Sequence, residues 1–232
     1  MDKLYIIIIA IVFILLIMVG LAIVNYTGQD LIDKYREYSK IPTSSTPVDF
    51  VNTINSLYFE NKIKLRFVRN ELGDSYNGYS GILRLCQVYA HEHNLVGITI
   101  CAHELGHALQ FQYERKKMAK FSKRRTISNF LSKLTIPCLI ASIVLLILNH
   151  LIVAGVLACV AVLTFLLALI TKVSTIKVEK DASKKAIDLI EKYAYFTEGE
   201  MIKAKEFLNL AKKTYIADLL RSMLKWTMLV KK

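Results

Sequence analysis

The sequence predicts a mainly α-helical membrane protein with a small β-hairpin, an N-terminal transmembrane anchor and a transmembrane helical hairpin. Three observations predict it. Hydrophobic residues make up 54% of the 232, with a mean hydropathy of +0.38. The apolar residues gather into three uncharged runs. The basic residues are shared unequally among the segments that those runs separate. Such a composition excludes a disordered or collagen-like chain, while 22% charged residues exclude a chain lying wholly in the bilayer.

The first run, residues 4–24, has 21 residues without a charge, enough for a helix to cross a hydrocarbon core. Its length exceeds that of a secretory h-region, and no small-x-small cleavage site follows, so it reads as a retained anchor. The second and third runs, residues 134–148 and 151–171, are separated only by Asn149 and His150. They read as a transmembrane hairpin with a tight turn, Pro137 falling near the start of its helix, where proline is tolerated.

Charge placement orients these spans. Residues 25–133 carry 16 of the 31 lysines and arginines and residues 172–232 carry 14, whereas the hairpin turn has none and the N-terminal end has only Lys3. Basic loops stay cytoplasmic, so both large polar segments are expected on the inner face of the plasma membrane in a multi-pass arrangement. The formal charge of +12 is thus read as topology, and no nucleic-acid partner is expected. The dense basic cluster at 115–125 is expected to meet anionic lipid; the plainer reading is that it merely fixes topology, and both can hold. Cys86, Cys101, Cys138 and Cys159 form no CxxC pair or disulfide spacing, so the fold does not depend on an oxidising compartment.

In the first polar segment, Thr46-Pro47 opens a helix expected to run to residue 59. Alternating β-formers at 63–68 and 82–88 flank turn residues Gly73, Asp74, Asn77, Gly78 and Gly81, the pattern of a hairpin sheet. Asn94 can cap a helix expected from Leu95 to about Glu114. Helices are expected again at 179–195 and 198–230, the last amphipathic through Leu208, Tyr215, Leu219, Met223 and Trp226. Four segments follow: an anchor at 1–25, a segment at 26–133, the membrane hairpin at 134–171, and a C-terminal helical segment at 172–232.

The chemistry is concentrated in His103-Glu104-Leu105-Gly106-His107, an HExxH pattern inside the expected helix. A spacing of four places both imidazoles on one helical face, where both can reach one zinc ion. Glu104 then stands ready to take a proton from metal-activated water. This composition yields about 0.005 such matches by chance, against the known false-positive risk of short motifs. The bland alternative is a buried histidine pair satisfied by hydrogen bonds. A catalytic zinc takes three protein ligands, and His91, His93, Glu179 and Asp181 are open candidates for the third. His91 and His93 alternate along an extended chain, so at most one could join easily.

The chain resembles the bacterial membrane-bound neutral zinc metallopeptidases of the YugP type. The resemblance rests on the N-terminal anchor, LRLCQVY from Leu83, CAHELGHALQ from Cys101, the membrane hairpin, KVEKDASKKA from Lys177 and TYIA from Thr214. It covers nearly the whole chain in order. It implies a zincin-like catalytic helix with zinc as cofactor and Glu179 as third ligand, like the equivalent glutamate of the related HtpX-type membrane proteases. Those usually carry an aspartate four residues after that ligand, where this chain has Ser183. The family's LTDHYDP turn is kept only in part, as Leu72-Gly73-Asp74-Ser75-Tyr76-Asn77.

The function this implies is zinc-dependent endopeptidase action on peptides or membrane proteins at the cytoplasmic membrane face. Glu104 serves as general base and Tyr215 is a candidate oxyanion donor, though a core tyrosine explains it equally. The strand at 82–88 could offer an edge to extended substrate. The rival readings are a zinc-stabilised scaffold without catalysis and a basic adaptor on anionic lipid. Glu104 discriminates, since a structural metal site has no need of a base beside its ligand.

Overall fold

The computed structural model describes residues 3–70, 73–194 and 196–228, with the side chains at most positions before 28, at 172–174 and after 213 outside the description. Helix α1 (Lys3–Tyr38) is followed by α2 (Pro47–Phe59), strands β1 (Lys64–Val68), β2 (Ser75–Asn77) and β3 (Ile82–Cys86), and helices α3 (Leu95–Tyr113), α4 (Arg115–Ile147), α5 (Leu151–Tyr193) and α6 (Glu198–Met228). The chain divides into two compact units. One includes Lys120–Ile176, and the other comprises Asp30–Ala119 and Lys177–Lys212.

Among the described residues, α4 and α5 are long and apolar enough to cross a membrane. Both exceed the spans expected from hydropathy. No glycine, proline or turn cluster stands between Thr171 and Glu179 to stop α5, so it runs on to Tyr193 instead of yielding to a new helix. Likewise α4 begins at Arg115, and Pro137 is therefore an interior residue rather than one near a helix start. Its missing N–H removes one i→i−4 bond, a loss that membrane helices tolerate when neighbouring groups supply partners. The anchor expected at 4–24 falls on α1, where most side chains lie outside the described residues.

In the unit that includes Lys120–Ile176, Ala154, Ala161, Ala168 and Thr175 recur every seven residues on α5, all buried. Small residues at that spacing let two helix backbones approach closely. Hydroxyls then bridge the helices. Ser142 Oγ donates to the Ala154 carbonyl (2.7 Å) and Ser128 Oγ to that of Ala168 (3.0 Å), while Thr135 and Thr164 pair at 3.2 Å. The α4–α5 turn is closed by the N–H of His150 on the Leu145 carbonyl (2.9 Å) and that of Asn149 on Leu146 (3.1 Å). Asn149 takes the left-handed conformation (φ 65°), one that asparagine accepts more readily than most residues.

The other unit is built on α2, α3, the sheet and the following part of α5. Thr46 caps α2 by accepting from the Asp49 amide (3.2 Å), and Pro47 occupies the first turn, where its absent N–H costs nothing. Asn94 caps α3, its Oδ1 accepting from the Gly97 amide at 2.6 Å. Leu95, Ile98, Ala102, Leu105 and Leu109, three or four residues apart, form the buried stripe of α3. They join Phe50 and Ile54 of α2, Leu83 and Leu85 of β3, Ile190 of α5 and Phe207 of α6 in one core.

The sheet corrects one expectation. A hairpin exists, but its two arms are β2 and β3, paired antiparallel, while β1 pairs with β3 in parallel, giving the order β1-β3-β2. The turn residues between the two expected strands contain a third, Ser75–Asn77, which takes the antiparallel place beside β3. β1 is left to the opposite edge. β3 is therefore the central strand, with β1 along Ile82–Cys86 on one side and β2 along Ile82–Arg84 on the other. It offers no edge to a substrate, contrary to the sequence reading.

Candidate metal centre

Two helices of the second unit bring the site together. His103 and His107, one turn apart on α3, point their Nε2 atoms at the same oxygen of Glu179 on α5, at 3.3 and 3.1 Å. Their rings meet edge to face with centroids 4.8 Å apart. One donor atom from each of the three residues lies within 4.8 Å of the other two.

Gly106 makes this approach possible. A β-carbon there would come 2.4 Å from the carbonyl oxygen of Ala182, so α3 and α5 touch backbone to backbone beside the three donors. Only glycine allows that contact. Glu179 is 4% exposed, and burial alone would favour its neutral form. The two histidines outweigh that effect and hold its carboxyl well below the usual carboxylate range. For His107, burial opposes the imidazolium, but the Glu179 carboxylate prevails and pushes its pKa up to about 9.

The outer faces of both imidazoles are occupied too. Ser183 Oγ lies 3.3 Å from His103 Nδ1, and Gln110 Oε1 lies 2.9 Å from His107 Nδ1. With Nδ1 engaged, each Nε2 faces inward on Glu179, the orientation that metal-binding histidines need. Two imidazoles and a carboxylate form a donor set suited to zinc and leave a fourth position for water. The residues present fit the metal.

Glu104 faces another neighbour. The Tyr76 amide on β2 donates to Glu104 Oε2 at 2.7 Å, so the strand nearest the site grips the carboxylate. β2 is itself held at its start: Asp74 accepts from the Cys86 amide (2.8 Å) and from the Tyr89 hydroxyl. Burial and the nearby Glu104 raise the Asp74 pKa against these two bonds. Phe111, seven residues beyond Glu104, seals the hairpin loop. Its ring would lie 2.1 Å from a β-carbon on Gly78, and it meets the rings of Tyr76 and Tyr79 edge-on.

The other ligand candidates are engaged elsewhere. His93 Nδ1 lies 2.8 Å from the Thr43 carbonyl, and the His91 ring meets that of Phe67 at a tilt, centroids 5.5 Å apart. Asp181 accepts from Gln110 Nε2 (2.7 Å) and from Lys185. The side chain of Tyr215 lies outside the described residues. Reasoning from the sequence missed Gln110, Gly106 and the Tyr76 amide. Gln110 had a legible signal, standing three residues after His107 on the same helical face; the other two act through backbone proximity, which no side-chain pattern announces.

Comparison with known proteins agrees with this geometry. The family model described as "Putative neutral zinc metallopeptidase" matches residues 7–231. The chain is 27% identical over 194 residues to the Bacillus subtilis protein named "Putative membrane protease YugP", covering 82% of each. No solved structure matches it.

Proposed function

The chain belongs to the neutral zinc metallopeptidase family, and from that premise we propose that it is a membrane-embedded endopeptidase cutting peptides or membrane proteins at the cytoplasmic face. The observation that carries the reading is the convergence of His103 and His107 on one Glu179 oxygen, with Glu104 alongside on the same helix. His103, His107 and Glu179 would hold the zinc. When bound, zinc polarises the scissile carbonyl and brings the pKa of water toward neutrality.

The chain's own residues do the rest. Glu104 lies about 100° around the helix from His103, near the metal but free of it. With Oε2 fixed by the Tyr76 amide, its other oxygen takes the proton of the attacking water and returns it to the leaving amine. Ser183 and Gln110 keep both Nε2 atoms aimed inward. β2, an outer strand of the sheet, is the strand beside which extended substrate would lie. The basic polar segments hold this unit at the inner membrane surface, with α1, α4 and α5 as its spans.

The test is Glu104→Gln, with zinc content and peptide cleavage measured on one preparation. Glutamine keeps the shape but accepts no proton. The expected result is full zinc with cleavage lower by about 10²–10⁴-fold. Unchanged cleavage would remove Glu104 as the base. A wild type that binds zinc yet cuts none of a broad set of peptide and membrane-protein substrates would favour a scaffold instead.

A further inference from the structure

Gln110 is 2% exposed and forms bonds at both ends of its amide. Its Nε2 donates to the Val178 carbonyl (2.9 Å) and to Asp181 Oδ2 (2.7 Å). Its Oε1 faces His107 Nδ1 at 2.9 Å. The two α5 acceptors fix which way the amide points. A backbone carbonyl can only accept, and Asp181 is paired with Lys185 and accepts as a carboxylate, so both require the NH₂ end. The oxygen must then face His107. An amide oxygen can only accept, so His107 Nδ1 must carry a hydrogen, and whenever the ring is neutral the lone pair is on Nε2.

We propose that Gln110 is the positioning residue through which α5 dictates the metal-binding tautomer of His107. Its two acceptors flank Glu179 in sequence, one residue before it and two after, so a single side chain aligns the second histidine and the carboxylate ligand together. Ser183 does not do this for His103, because a hydroxyl can donate or accept at Nδ1 and enforces neither tautomer. The inference rests on reading His103, His107 and Glu179 as the zinc ligands.

The experiment uses the purified full-length chain in detergent, stripped of metal and titrated with zinc against a competing chelator, then with cobalt(II) for its visible spectrum. Gln110→Met keeps length and apolar volume but makes none of the three bonds. The expected result is zinc affinity about 10–100-fold weaker, a smaller rise in Tm on adding zinc, and an altered cobalt spectrum. Unchanged zinc affinity with a lower Tm for the metal-free protein would mark Gln110 as packing only and overturn the proposal.

A second variant covers failure of the first to fold. Gln110→Glu keeps an acceptor for His107 but sets a carboxylate against Asp181, and it is expected to weaken zinc binding. Combining it with Asp181→Asn supplies an amide donor and should restore part of the affinity; no restoration would count against the proposal. A wild type without stoichiometric zinc would overturn the ligand reading itself. Zinc-loaded wild type beside an equally tight Gln110→Met would overturn this inference alone.

Discussion

Gly106 lies against Ala182 so closely that a β-carbon would meet the Ala182 carbonyl oxygen at 2.4 Å and its Cα at 3.3 Å. The glycine inside the HExxH pattern is therefore a spacer of zero width between α3 and α5, the two helices that carry the donors. Ala182 stands between Glu179 and Ser183, so any shift there moves both the carboxylate and the hydroxyl facing His103.

Replacing Gly106 with alanine is expected to separate the helices at the donors. Overpacking of this kind costs about 1–3 kcal/mol, partly offset by alanine's better helix propensity. Thermal denaturation should show the loss, and zinc titration should show weaker binding. Undiminished zinc affinity would mean that α5 can retreat without disturbing Glu179.

Tyr89 supplies the other constraint. Its hydroxyl and the Cys86 amide are the donors to Asp74, two residues before the Tyr76 amide that grips Glu104. Tyr89→Phe leaves one oxygen of a half-buried carboxylate without its donor, a change expected to destabilise by about 1 kcal/mol. Denaturant unfolding measures the loss. If stability is unchanged, the carboxylate has found water or another donor.

Much of the site was legible in the sequence because helical periodicity is local. The spacing of His103 and His107 places them on one face whatever the rest of the chain does, and the Asn94 cap announces where that helix begins. The apolar runs likewise marked the core of α4 and α5. What the sequence concealed depends on distant partners. Strand order was hidden because β1 and β3 both carry β-favouring alternation, and nothing in either says that Ser75–Asn77 will take the antiparallel place. Helix ends were hidden where hydropathy changes but no breaker occurs, as between Thr171 and Glu179. Glu179 was singled out by family resemblance, since its spacing from His107 crosses an entire membrane hairpin. His91 and His93 were equally eligible until their contacts with Phe67 and Thr43 were seen.

Topology gives an independent check. From the distribution of lysine and arginine, the segments around Glu92 and Lys192 are expected inside and the Asn149–His150 turn outside. Cysteines introduced at Glu92 and Lys192 are expected to resist a membrane-impermeant thiol reagent in intact cells, and one at His150 to react. Opposite accessibility for Glu92 and Lys192 would contradict the charge argument and the shared metal site together.

One zinc per chain is expected to be held by residues from both α3 and α5. The most direct measurement is the zinc content per chain of purified wild type, His103→Ala, His107→Ala and Glu179→Ala, with His91→Ala and His93→Ala as controls. One zinc is expected in the wild type and both controls, with most of it lost from each of the other three. Full zinc in Glu179→Ala, with loss in His91→Ala or His93→Ala, would contradict it.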